Sequence, residues 1–211
     1  MDLPSPKQSL KQTLYSFAIS ILKLNSLKMA IFALLTFCTS QAAFAQTKLP
    51  GNVAIHIAKT HYEHPVRLLH PYLDFWHMKG PLAYKAALKT LPKRFVGVSD
   101  CKTNAQVVLL LEPHMFYNPQ LRVFHAEFIA RAYTNAGESI TRIKKQAQQN
   151  GDLNVKPDFY MEKAYAKAMD KIIKALETDK AFLATLDQAV LNNTAEICDS
   201  LDKIPTEKFY Y

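Results

Sequence analysis

Between Asp158 and Thr178 the apolar residues Met161, Ala164, Tyr165, Ala168, Met169, Ile172, Ala175 and Leu176 recur at every third or fourth position. That is the period of an α-helix, and a stripe this wide is stable only when another layer covers it. Pro157-Asp158 opens the segment, with Asp158 as the expected N-cap. Lys163, Lys167, Lys171 and Lys174 follow one another at about one-turn spacing on the side away from the stripe, forming a basic ridge. Whatever fold the chain adopts must give this helix an apolar surface to lie on and leave its lysines facing water or an anionic partner.

Strand-like segments upstream supply such a surface. Val53 to Ala58 is β-branched and alternating, and Gln106 to Leu111 is an unbroken apolar run of strand length that fits a central strand buried on both faces. From Leu121 to Thr134 the even positions Phe124, Ala126, Phe128, Ala130 and Ala132 make one apolar face. Asn135-Ala136-Gly137-Glu138 then reads as a turn, with Ser139 to Lys145 returning as the second strand of a hairpin, although that segment also fits a helix. Phe95 to Val98 is a further short strand. Pro81 to Leu91 is expected to be a helix ended by Pro92, and Lys180 to Leu191 a second C-terminal helix. His61 to Met78, rich in aromatics, prolines and histidines, reads as a loop with room for a short helical turn, and Glu112 to Pro119 reads as a loop. Strands first and helices last predict an α+β fold: a small antiparallel or mixed sheet with helices packed on one face and two C-terminal helices.

Residues 1–45 have the marks of a secretory signal peptide with a long n-region. Met29 to Cys38 is a ten-residue uncharged run preceded by Lys23 and Lys28, and Ala43-Phe44-Ala45 fits the small-residue pattern for cleavage before Gln46. An additional apolar patch lies at Leu14 to Leu22. Cys38 is preceded by Phe37, too large for a lipid-attachment site, so the expected product is soluble, periplasmic or secreted, and free of an integral membrane span after cleavage. Residues 46–211 are then a single extracytoplasmic domain of about 165 residues, long enough to bury roughly 70% of its unfolded surface.

Removing the leader changes the charge and the cysteine count. Lys7, Lys11, Lys23 and Lys28 against Asp2 give the leader +3, leaving +5 of the chain's formal +8. That balance is moderate, and it favours contact with anionic envelope components over nucleic acid. Of the three cysteines Cys101 and Cys198 remain, and an even pair in an exported chain predicts one disulfide.

No catalytic motif is present: there is no G-x-S-x-G, no H-E-x-x-H and no C-x-x-C. Two chemical alternatives follow from clusters of side chains. His56, His61 and His64 lie in a histidine-rich stretch extending to His77, and His61 and His64 would share a face if they sat on one helical turn, a possible metal site. Ser99, Asp100 and Cys101 stand in a row and would centre a small hydrolase if a histidine approached. Trp76, Phe116 and Tyr117 mark aromatic segments suited to a recognition surface. The leading expectation is an exported, non-catalytic binding or accessory protein of the cell envelope, needing no cofactor and acting on a protein or anionic envelope component.

Overall fold

The computed structural model describes residues 48–203, apart from 71 and 73. The chain divides between residues 46 and 47, and the account below concerns the unit 47–211. The expected leader and the Phe209-Tyr210-Tyr211 terminus lie outside the described residues.

The fold is α+β. A mixed five-stranded sheet has the order β4-β1-β6-β7-β8. β1 (Leu49–His56) runs parallel to β4 (Phe95–Asp100) on one side and to β6 (Val107–Asn118) on the other. β6, β7 (Val123–Thr134) and β8 (Ser139–Asn150) continue as an antiparallel meander. β6 is the central strand, and the unbroken burial of Val107 to Leu111 follows from being covered on both faces.

The first face carries Val53, Ile55, Leu109, Leu111, Phe124, Phe128 and Ala130. It is covered by α2 (Lys79–Thr90), α3 (Pro157–Leu176) and α4 (Lys180–Gln188). The stripe of α3 packs there as its period requires, with Met161, Ala164, Tyr165, Ala168, Met169 and Ile172 all buried. α2 contributes Ala83, Ala86 and Ala87, small residues that let it lie close to α3. Lys85 and Lys89 of α2 both reach Glu162 of α3, at 2.7 and 3.3 Å. Gln106 fastens α4 to the sheet: its amide oxygen accepts from the Asn52 amide, and its nitrogen donates to the carbonyls of Leu186 and Ala189.

The second face has a smaller core of Ala54, Val108, Leu110, Tyr133, Cys101, Cys198 and Leu201, covered by α5 (Ala195–Leu201). Two-residue strands β5 (Asn104–Ala105) and β9 (Asn192–Asn193) pair beside it.

Several local expectations are revised. Residues 112–118 are not a loop: β6 runs through them to Asn118, in register with β7. The pairing of β1 with β6 ends at His56↔Leu110, so Pro113 sits where β6 has become an edge on that side, a place where proline is tolerated. The short helical turn expected within 61–78 is there, as the end of α1 (Lys59–Tyr62), but much of the rest is strand rather than loop: β2 (Pro65–Leu68) and β3 (Phe75–Met78) pair as a hairpin. Gly80 is needed here, because a Cβ on it would collide with the Tyr62 backbone and push α1 off α2. Asp158 is not the N-cap of α3. Lys156 holds that place with a left-handed backbone (φ 48°), and Asp158 lies in the first turn, where its charge complements the helix dipole.

Candidate functional site

Three regions concentrate chemically capable side chains. The first lies at the carboxyl ends of the parallel strands β1 and β4. His56 ends β1, Asp100 ends β4 and Cys101 follows directly. From the opposite direction α5 brings Cys198, and Asp202 caps that helix. The Cys101 and Cys198 sulfurs are at bonding distance, with Cα atoms 6.0 Å apart. His56 Nε2 is 2.9 Å from Asp202 Oδ1, and the Lys59 amide donates to the same oxygen at 3.0 Å. Thr194 Oγ1 donates to the carbonyls of Cys101 and Thr103, both at 2.9 Å, which fixes the start of α5 against the β4 end. A cleft of about 470 Å³ opens here, lined by His56, Tyr62, Tyr84, Asp100, Cys101 and Asp202 among others. Burial, with Asp100 and Tyr62 nearby, pushes the Tyr84 hydroxyl above its ordinary value, so it stays a neutral donor.

This geometry separates the members of the sequence clusters. Ser99 pairs with Ala54, and its hydroxyl is buried. Asp100 accepts from the Lys102 amide at 3.0 Å in a tight turn. Cys101 is joined to Cys198 and offers no free thiol. Ser99, Asp100 and Cys101 therefore face different surroundings rather than one reacting centre. The His56, His61 and His64 set also does not converge. Among the described residues the one group of three His, Cys, Asp or Glu donors within 4.8 Å of one another is His56, Cys101 and Cys198. α1 stops at Tyr62, before His64, so the two later histidines do not share a helix face.

The second region is a buried polar stretch of the second sheet face. Alternation along β6 and β7 puts Glu112, His114, Glu127 and Arg131 on it, opposite the apolar residues of the first face. Arg131 Nη1 is hydrogen-bonded to Glu112 Oε1. Glu127 is paired with Lys144 at 3.0 Å and accepts from Gln146. His61 from α1 packs edge-on against His114, with ring centroids 5.8 Å apart and its Nε2 3.9 Å from Glu112 Oε2. Farther along, Phe116, His125, Glu127 and Gln146 line a cleft of about 320 Å³. Reading residues 112–118 as a loop concealed this network; the two-residue spacing of Glu112, His114 and Phe116 was the signal for it.

The buried histidines His61 and His114 of this stretch, and His77 on the inner face of the β2–β3 hairpin, are held neutral. Burial, reinforced by Lys79, His114, His64 and Arg131, lowers His61 to about 3. Burial lowers His77 to about 4 against a smaller opposing effect of Asp158, and burial with Lys79 and Lys144 lowers His114 to about 4. Burial alone brings the Lys79 ammonium down to about 8. An unfolded imidazole takes up its proton near pH 6.5, so below that value the unfolded chain binds protons that the folded one refuses. The contribution of these histidines to stability is complete above about pH 6.5 and is lost progressively as the pH falls toward 4. A urea midpoint measured across that range should fall with pH, and His77→Leu should flatten the fall; an unchanged slope in that variant contradicts the assignment.

The third region is the outer face of the β2–β3 hairpin. Val66, Leu68, Phe75 and His77 point inward, which leaves Pro65, Arg67, Trp76 and Met78 outward. Trp76 is 58% exposed and Met78 44% exposed, and Tyr72 at the tip is 91% exposed. Arg67 pairs with Asp74 across the hairpin at 2.7 Å. Trp76 is thus on the surface as an aromatic recognition residue must be, and Phe116 is partly exposed in the smaller cleft. Tyr117 is not: it is 2% exposed and packs on Phe124 in the first core, because strand alternation turns it away from Phe116.

The lysine ridge is only partly free. Lys171 and Lys167 donate to the carbonyls of Gln146 and Gln148 at 2.7 and 3.3 Å. Both carbonyls belong to β8, the edge strand, so these lysines blunt an edge that could otherwise pair with another chain. Lys163 lies 4.3 Å over the ring of Phe159, itself half exposed. Among the described residues no helix is long and apolar enough to cross a membrane.

No family model matches the chain, and no curated protein is similar to it in sequence. Among solved structures it is similar to a Xanthomonas campestris protein of the family DUF330, with a TM-score of 0.45 and 9% identity over 70% of this chain and 91% of that one. It is also similar to a provisionally assigned lipoprotein from Caulobacter crescentus CB15, with a TM-score of 0.31 and 19% identity over 50% of this chain and 83% of that one. Neither likeness is close enough to carry a function across.

Proposed function

We propose that this chain is an exported, non-catalytic binding or accessory module of the cell envelope, and that it engages a protein partner through the outer face of the β2–β3 hairpin. The observation that carries this reading is the exposure of Trp76, Met78 and Tyr72 on one hairpin whose inner face is locked into the core. Tryptophan, tyrosine, methionine and arginine are the residues enriched at interface centres, and a rigid hairpin presents them with little ordering cost. The export reading supplies the compartment, and the cysteine pair suits an oxidising one. The ridge helix adds a secondary basic and aromatic contribution through Lys163, Phe159 and Lys174, since Lys167 and Lys171 are engaged with β8.

The reading is tested by affinity capture from envelope extracts with the mature protein as bait. Trp76→Ala should remove the captured partner, because truncating a central aromatic anchor typically costs about 2 kcal/mol or more, roughly a 30-fold loss in affinity. Lys167→Gln/Lys171→Gln should capture as the parent does. Capture unaffected by Trp76→Ala overturns the hairpin as the binding surface.

A further inference from the structure

We propose that Cys101, Cys198 and His56 form a redox-gated site for a zinc-class cation, closed while the cysteines are joined and open to metal once they are reduced. The donor atoms already lie within 4.8 Å of one another, on three elements that converge only in the folded chain. Two thiolates and one imidazole are a zinc donor set, which leaves a fourth tetrahedral position for water or a carboxylate. Zinc–sulfur bonds of about 2.3 Å require sulfurs roughly 3.7 Å apart, and Cα atoms 6.0 Å apart allow this by side-chain rotation.

The surroundings are those of a ligand rather than of a packing histidine. Asp202 holds His56 through Nε2 and is itself held by the Lys59 amide. A carboxylate on one ring nitrogen fixes the tautomer and orientation of a metal-bound histidine, and here it leaves Nδ1 for the cation. The cysteines are buried, yet the cleft lined by His56, Cys101 and Asp202 gives an entry path. This site is distinct from the aromatic hairpin.

Opening the site takes two electrons from a dithiol. One reductant thiolate attacks a sulfur of the Cys101–Cys198 bond, giving a mixed disulfide and releasing the other cysteine as a thiolate. The second reductant thiol then displaces the bound cysteine and leaves as an oxidised disulfide. The freed pair takes up two protons, and both are released again when zinc binds the two thiolates.

The test uses purified protein reduced with a phosphine, desalted without oxygen and titrated first with Co²⁺ and then with Zn²⁺. The reduced protein should show thiolate-to-cobalt charge-transfer absorption that saturates at one equivalent and is abolished by zinc; the oxidised protein should show none. His56→Ala should lose the saturable signal, and Asp202→Asn should weaken zinc binding by about 10–100-fold. If reduction unfolds the chain, one equivalent of zinc should restore the circular dichroism of the folded protein. Absence of a saturable cobalt–thiolate signal in folded reduced protein, failure of zinc to refold an unfolded one, or unchanged binding in His56→Ala overturns the proposal.

Discussion

Replacing Cys198 with alanine should lower the unfolding free energy by about 4–5 kcal/mol, the value expected when a cross-link closing a loop of this length is removed. The bond to Cys101 spans 97 residues, from the end of β4 to α5, so it removes a large part of the freedom of the unfolded chain. It also anchors a seven-residue helix too short to persist alone, whose other buried contact is Leu201. The midpoint of thermal unfolding should fall on the order of 10 °C. Reduction of the parent protein should reproduce most of this loss, whereas the alanine variant should not respond to reductant. A variant within about 1 kcal/mol of the parent would mean that the cross-link contributes little to the fold.

The second large effect concerns the polar face. The side chains of Glu112 and Arg131 are 3% and 13% exposed and are bonded to one another, with Arg131 one strand over and diagonal to Glu112. Arg131→Met should destabilise the protein by about 3–5 kcal/mol, because it leaves a buried carboxylate without its cation. His61 does not replace that charge, since its burial keeps it neutral well below neutral pH. Removing both charges in Glu112→Leu/Arg131→Met should recover most of the loss, as buried ion pairs exchanged for apolar residues of similar volume often cost little. Chemical denaturation of the two single variants and the double variant measures the coupling. A double variant as unstable as the sum of the singles contradicts a pairwise role and assigns the cost to packing.

The architecture was legible wherever periodicity was uninterrupted. The α3 stripe, the apolar face of β7 and the central place of β6 all follow from spacing, because burial on one or both faces leaves a pattern of period 3.6, 2 or 1. Segments were misread where turn-forming residues sat inside strands. Pro113 made the second half of β6 look like a loop, although proline at an edge costs no ladder bond. Pro65, with the four-residue lengths of β2 and β3, hid the hairpin that carries Trp76. The chemistry was less legible still. His56 was visible as a possible ligand, but its company of Cys101, Cys198 and Asp202 depends on chain crossings of 45 to 146 residues that no local pattern encodes. The lysine ridge was regular in sequence, yet only the position of β8 beside α3 shows that Lys167 and Lys171 guard a strand edge.

The exposed hairpin face is the central claim, and it is tested most directly by placing a photo-activatable crosslinking residue at position 76 of the full chain in its native cell. A control carries the same residue at Glu138, in the exposed turn between β7 and β8. A discrete crosslinked protein adduct at 76 and none at 138 is the predicted result. No adduct at 76, or the same adducts at both positions, would contradict it.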